Sequence, residues 1–535
     1  MKRTKKCQNL FTSLTSDLSG MVFECVIDCY NTWADLRQVC KQFYADTFTS
    51  LVLSHLTFSV KPQELWKLQS LPSVRSISVF GACDNAVKQL RRCTDCLVLE
   101  ELLLTSSIIT DRGLYEVVAM APNLKRIGLK NSRCITSHGL EFLSTLKMLE
   151  ELDLSNCVGI RTIPEFQAIR SLDMSGCVDL ETLPRLPRCL TLLNVSETKV
   201  STAVFPPNIT SLDMFQTRFT STALLQIAEL ANLETLRLMD LPMSRTELEM
   251  LGTKLPSLHS FTCSDYSPSD ESPMTKTNVT ALTFYSSVFT HDSFQMIGMA
   301  CPLLQQFNVA FSDMRNVCFC GLTFCTNLQS LSLVACRLTD LRPLIHCRSL
   351  TKLDLSTNLH IDNWSSVQHL PCLSLLKDLS LDQTNVSDAD LIYFQPCPLE
   401  RLTLQHCENV CAFGFFPRLT YLDVSGCNIQ EYGIILIRNS RALRTLHLQF
   451  CILQNLEFLH GLPNLETLSC GNPDMDLSAL KKCTLKHLTL SHCTIAPSGL
   501  LRFCGLQSLT LHGCITAGVL ILPSNVKLNI NGSLQ

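Results

Sequence analysis

The chain has 535 residues, 46% of them apolar and 17% charged, with a mean hydropathy of +0.19. This excludes a disordered chain and is ample for a large core. Lys plus Arg number 44 against 47 Asp plus Glu, a formal charge of -3, which excludes the basic excess of a general nucleic-acid binder. No apolar run approaches the roughly 18 residues that a membrane span needs. The basic start, Met1-Lys2-Arg3-Thr4-Lys5-Lys6, leads into Cys7-Gln8-Asn9 and not into an apolar stretch, so no secretory leader is expected. The 29 cysteines are an odd number that cannot all pair within one chain. With no leader, they are expected to be thiols in a reducing compartment. The expected location is the cytoplasm, with a nuclear or mitochondrial address left open by the basic start.

In chain order, the first 47 residues stand apart from the rest. Residues 14–29 place Leu18, Met21, Val22, Val26 and Cys29 near helical spacing, and residues 33–43 allow a second short helix. From residue 48 onward an apolar frame recurs at a first position, then +3, +5 and +8. Leu149-Leu152-Leu154-Cys157, Leu328-Leu331-Leu333-Cys336 and Leu443-Leu446-Leu448-Cys451 fit it strictly. Looser copies, with Ile, Val, Met, Phe or Cys substituting, begin at Phe48, Val74, Leu99, Leu124, Ile169, Leu190 and further on. Altogether about 21 units recur with a mean period of about 23 residues. Residues +3 and +5 of a short strand point to one side, and those between them point to solvent. A single unit cannot bury its apolar edge, so neighbours must stack into one continuous core. At about 4.8 Å per strand, 21 rungs would line an inner surface on the order of 100 Å long. Eight cysteines occupy +8, where a small thiol suits a chain turning inward: Cys157, Cys177, Cys336, Cys407, Cys427, Cys451, Cys493 and Cys514.

The connecting halves differ in kind. Residues 109–124 and 135–149 predict capped helices that end before the next strand. Residues 338–344 predict a shorter 3₁₀ turn. Residues 159–214, with Leu183-Pro184-Arg185-Leu186-Pro187, predict extended halves and a flatter section. Residues 264–278, rich in Ser and Pro, predict a solvated loop beginning at Cys263-Ser264.

The repeat resembles the leucine-rich repeat, mostly of the cysteine-containing subtype, with the residues around Leu183-Pro184 similar to the bacterial Leu-Pro type. The resemblance implies an α/β fold, an open curved solenoid with a small helical segment ahead of it. That segment resembles an F-box through Leu18, Val22-Phe23, Val26-Ile27 and the run Leu36-Arg37-Gln38-Val39-Cys40-Lys41-Gln42-Phe43. It departs from the family at Leu18-Ser19, where Leu-Pro is usual. In a working F-box, Leu18, Val22, Val26, Leu36, Val39, Cys40 and Phe43 would contact a cullin-ligase adaptor. The alternative is a plain cap that shields the first rung, which every repeat array requires.

No phosphate loop, dinucleotide fingerprint, nucleophile elbow or metalloprotease helix occurs in the sequence. The expectation is a binding protein with no enzymatic activity, no cofactor and no metal. Its informative positions are +2, +4, +6 and +7, which are expected on the concave face. Asp153, Asp173, Asn194 and Asp213 stack at +4 as an acidic ladder. Phe215, Met239, Tyr285, Phe311 and Val334 fall at +6 or +7 and would leave large apolar groups in solvent, which suits an interface. His406, His447, His487, His492 and His512 follow on the same side. The expected partner is a protein client on the concave face, with no nucleic acid and no membrane. Three roles fit: a substrate-recognition subunit of a ubiquitin ligase, a structural scaffold or assembly factor, and a surface receptor ectodomain. The absent leader and odd cysteine count weigh against the last.

Overall fold

The computed structural model describes residues 57–63, 65, 74–93, 96–241, 245–266, 276–315, 317, 319–371, 374–453, 455–472, 480, 483, 485–495, 505–516 and 526–531. The F-box-like residues, Leu18 to Phe43, lie outside them. The chain forms two compact units, Met1–Leu241 with Lys254–Leu258, and Pro242–Thr253 with His259–Gln535.

In the first unit, short strands β1 to β9 run Thr57–Val60, Ser76–Val79, Glu101–Leu103, Arg126–Gly128, Glu151–Asp153, Ser171–Asp173, Leu192–Asn194, Ser211–Met214 and Thr235–Leu238. Each pairs in parallel with the next. The register keeps the +3 residues in one row: Ile77, Leu102, Ile127, Leu152, Leu172, Leu193, Leu212 and Leu236. All eight are buried, and each contributes about 2 kcal/mol of apolar burial. The second unit has a row of its own at +3, through Phe261, Leu282, Phe307, Leu331, Leu353, Leu379 and Leu402, and on to Leu509. An open parallel sheet with one strand per repeat is the leucine-rich-repeat solenoid that the frame predicts.

Two details of the frame differ. The strand paired with Ser76–Val79 is Thr57–Val60, later in the chain than the strand of a copy beginning at Phe48 would fall. The copy expected at Phe48 lies outside the described residues. At the other end Lys527–Asn531 pairs with Ser508–His512, adding a rung that the apolar pattern did not show.

The position after each strand is the main feature that the sequence frame lacked. Residue +7 takes the left-handed conformation in rung after rung, as in Asn131, Asn156, Gly176, Asp240, His406 and Gly426, with φ from 55° to 75°. This turn swings +8 inward beneath the sheet. There Cys157 Sγ donates to the Leu129 carbonyl at 3.1 Å, Cys177 to Leu154 at 3.2 Å, Cys336 to Val309 at 3.3 Å and Cys451 to Val424 at 3.1 Å. The acceptor is the +5 carbonyl of the preceding rung. Leu129, Leu154 and Val424 also accept the +8 amide of their own rung, Leu154 from Cys157 at 3.0 Å. Both lone pairs are therefore used, and the eight expected thiols are buried. Ser132 Oγ makes the same bond to Leu104 at 3.1 Å. Asn358 does more, donating to Leu333 and Leu355 while accepting from the amides of Cys336 and Leu338.

The convex halves follow the sequence. Helices Asp111–Met120 and Ser137–Leu143 form where capped helices were expected, and a 3₁₀ turn spans Arg342–His346. Residues 144–221 contain no helix. Asp111, the first helical residue, bonds the Thr136 amide at 2.8 Å and hydroxyl at 2.6 Å one rung later. Gly139 allows that approach, because a Cβ there would strike the Asp111 carboxylate. The first residues assigned to the Ser/Pro loop are not solvated throughout. Ser260–Ser264 is a strand, Cys263 is buried, and Tyr266 is 1% exposed, packed on Phe284 and Phe289. The aromatic ring at +8 draws those residues into the core, and residues 267–275 lie outside the description. Among the described residues no helix is long and apolar enough to cross a membrane.

Candidate functional site

The expected residues divide between the two units. Phe215 and Met239 belong to the first, and Tyr285, Phe311 and Val334 to the second. Phe215 is half-buried under the Arg237 guanidinium, 5.4 Å from the ring centroid, and Met239 is also half-buried.

The acidic ladder is in register, Asp153 beside Asp173, then Asn194, then Asp213. Each side chain also shapes the turn that follows it. Asp153, Asp173, Asn194 and Asp213 accept the backbone amide two residues on, at 2.8, 2.9, 3.0 and 3.1 Å. These are Asx turns that set up the left-handed residue at +7. Asp213 is further neutralised by Arg237 at 2.8 Å. Asp153 and Asp173 are half-buried.

In the second unit, Tyr285, Ala310 and Val334 are neighbours at +6 on successive strands. Tyr285 and Val334 are half-buried there. Phe311 follows Ala310 at +7, where φ is +54° and the side chain is 66% exposed. It therefore stands on the turn edge beside the strand face. A bulky residue in the left-handed region costs about 1–2 kcal/mol, and its ring recovers little of this by burial. Phe450 repeats the arrangement, with φ +60°, 58% exposure and its ring centroid 6.2 Å from that of His492. A residue type suited to left-handed turns at most +7 positions was the signal for this edge.

Beside Phe311 the edge holds a depression of about 620 Å³. It exists because Ala335 presents a methyl at +7 where the preceding rung presents Phe311. Val288, Leu359, Arg337 and His360 line it with them. Val288 and Leu359 are 59% and 57% exposed.

Further along, a polar network covers the strand face. Asp423 accepts the Gln405 side-chain amide at 2.7 Å and the Ser425 backbone amide at 3.0 Å. Burial pushes the Asp382 carboxyl up from the usual carboxylate range. Tyr421 lies between Arg401, 3.7 Å from its ring centroid, and the His447 ring at 5.3 Å. Burial lowers His447 from the ordinary histidine range. The other expected histidines do not converge: His406 is exposed, His487 meets Ser508 at 2.8 Å, and His492 lies by Phe450. Among the described residues no three His, Cys, Asp or Glu side chains are grouped to hold a metal ion.

A comparison with protein families matches residues 481–504 to the family described as Leucine Rich repeat. No curated protein matches the chain. Among solved structures the chain is similar to the mouse RP105/MD-1 complex, with a TM-score of 0.45 and 16% identity over 80% of this chain and 84% of that one. It is also similar to an internalin from Listeria monocytogenes, with a TM-score of 0.28 and 16% identity over 78% of this chain and 88% of that one. Residues 481–504 match the leucine-rich repeat, and the parallel sheet with one strand per rung is the open solenoid that such repeats build.

Proposed function

We propose that the chain is a protein-recognition scaffold that engages its client through the strand face and adjoining turn edge of the second unit, around Tyr285, Phe311 and Val334. One observation carries the reading. Phe311 is held 66% exposed in a left-handed conformation, so it bears a backbone cost and a solvation cost together. Exposed aromatic groups of this kind are frequent anchors of protein interfaces.

The test places the photo-crosslinker p-benzoylphenylalanine at Tyr285, at Phe311 and, as a control, at the exposed convex residue Met299. Protein adducts from the first two sites and none from the third support the reading. Adducts only from Met299, or from no site, refute it.

The amino-terminal resemblance supports a narrower role as the substrate-recognition subunit of a ubiquitin ligase, with residues 18–43 docking a cullin-ligase adaptor. Adaptor co-purifying with the full chain, and lost on Val22→Asp with Leu36→Asp, supports that role. If no adaptor accompanies the unaltered chain, the segment is a cap and the protein a structural scaffold.

A further inference from the structure

We infer that the depression on the turn edge of the second unit docks an extended segment of a partner protein that carries a large apolar side chain and, within about three residues of it, a carboxylate. This rests on the reading of the chain as a protein-recognition scaffold and names the chemistry of the client.

The site spans four consecutive rungs, with Val288, Phe311, Arg337 and Leu359 contributed by one rung each. At about 4.8 Å per rung, Val288 and Leu359 stand about 14 Å apart, the length of about four extended residues. The three apolar groups, Val288, Phe311 and Leu359, are each more than half exposed, and Ala335 leaves the space between them. A client side chain seated there would cover apolar surface now in water.

The charge is arranged to match a carboxylate. Arg315 grips Asp313 through Nε at 2.9 Å, while Arg337 reaches the same carboxylate only at 3.7 Å. Two guanidinium groups thus share one carboxylate, which leaves a surplus positive charge at the rim. Arg337 is 68% exposed and retains donors directed to solvent. Its backbone is fixed in an uncommon position, with φ +53°. The buried Asn358 side chain holds it there by accepting the amides on either side, Cys336 at 3.1 Å and Leu338 at 3.0 Å. A backbone fixed in this way has no freedom left to lose on binding, and only the Arg337 side chain has to be ordered.

The edge is closed to strand addition. The amides of Ser286, Phe311 and Ala335 already donate to Ala310, Val334 and Ser356 at 3.0, 3.0 and 2.9 Å. With these donors used, the groups left to recognise a client here are the exposed side chains, Val288, Phe311 and Leu359 for an apolar anchor and Arg337 for a charge.

The test is fluorescence polarisation with the full-length protein and three series of labelled hexapeptides. In the first, Leu or Phe precedes Glu by one to three residues; in the second Gln replaces Glu, and in the third Lys does. Saturable binding of the Glu series, weaker by about tenfold or more for Gln and Lys, is the expected result. Phe311→Ala and Arg337→Ala should each weaken the Glu series about tenfold at unchanged thermal stability, and Arg337→Glu should move the preference to the Lys series. Equal binding of the three series, insensitivity to Phe311→Ala and Arg337→Ala, or no binding up to about 1 mM would overturn the inference. If the peptides fail while Phe311 and Tyr285 still crosslink a protein, the client chemistry is wrong and the recognition role stands. If crosslinking fails too, both fall.

Discussion

Alkylation of Cys157 in the native protein should be at least about a hundredfold slower than that of a solvent-exposed thiol with the ordinary thiol pKa of 9.0. Its side chain is fully buried, its Sγ donates to Leu129 at 3.1 Å, and burial raises its pKa from 9.0 to about 11. Two pKa units lower the thiolate fraction about a hundredfold at any pH below 9, before the protection that burial adds. Cys177 and Cys336, raised to about 12, should be slower still, whereas the exposed Cys134 supplies an internal reference for access. The measurement is iodoacetamide labelling at pH 8 followed by mass spectrometry of each site. The same shift links stability to pH. A thiol whose folded pKa is raised favours the folded state fully below the unfolded value, and this is lost as pH rises from about 9 to about 11. For Cys157 that is about 2–3 kcal/mol. Cys157→Ser keeps a donor, as Ser132 does on the preceding rung, and should remove that part of the alkaline loss with little effect at pH 7. Labelling of native Cys157 within tenfold of Cys134, or a disulfide among the +8 cysteines, would refute the reasoning.

Asn358→Ala should destabilise its part of the second unit by about 2–5 kcal/mol, because the buried amides of Cys336 and Leu338 lose their acceptor; local hydrogen exchange would show it. Gly298→Ala should cost about 1–3 kcal/mol or more, since a Cβ there meets the Gly321 carbonyl in the next rung, and denaturant midpoints would register it. Asp173→Asn should be nearly neutral, as Asn194 already makes the same turn, whereas Asp173→Ala should cost about 1 kcal/mol. Phe311→Asn should leave stability within about 1 kcal/mol of the unaltered protein while weakening the client, because Asn tolerates the left-handed turn; unchanged client affinity would move the site off this edge.

Much of the fold was legible because the repeat is a local pattern with a stacking consequence. Leu152, Leu172 and Leu193 had to point inward once the frame was known, and the +8 cysteines had to be small and buried. The helices near Asp111 and Ser137 and the extended halves after Cys157 were equally local, although only the second helix makes its cap bond, from the His138 amide to Thr136. The rung at Lys527–Asn531 was missed because no apolar first position precedes Leu528 and Ile530 in the sequence. Ser264 and Tyr266 read as solvated from their Ser, Asp and Pro neighbours, yet Tyr266 is held by Phe284 and Phe289 of the next rung.

The sequence by itself determined that one strand follows another in parallel register, since leucines at +3 and +5 can be buried only by identical neighbours. Only the tertiary structure decided which side chains remain available to a partner. Asp213 meets Arg237 from the next rung, while Phe311 and Arg337 stand out on the turn edge. Such outcomes depend on residues about 20–25 positions apart, brought together when rungs stack, and on a left-handed turn that redirects +7 from the strand face to the edge.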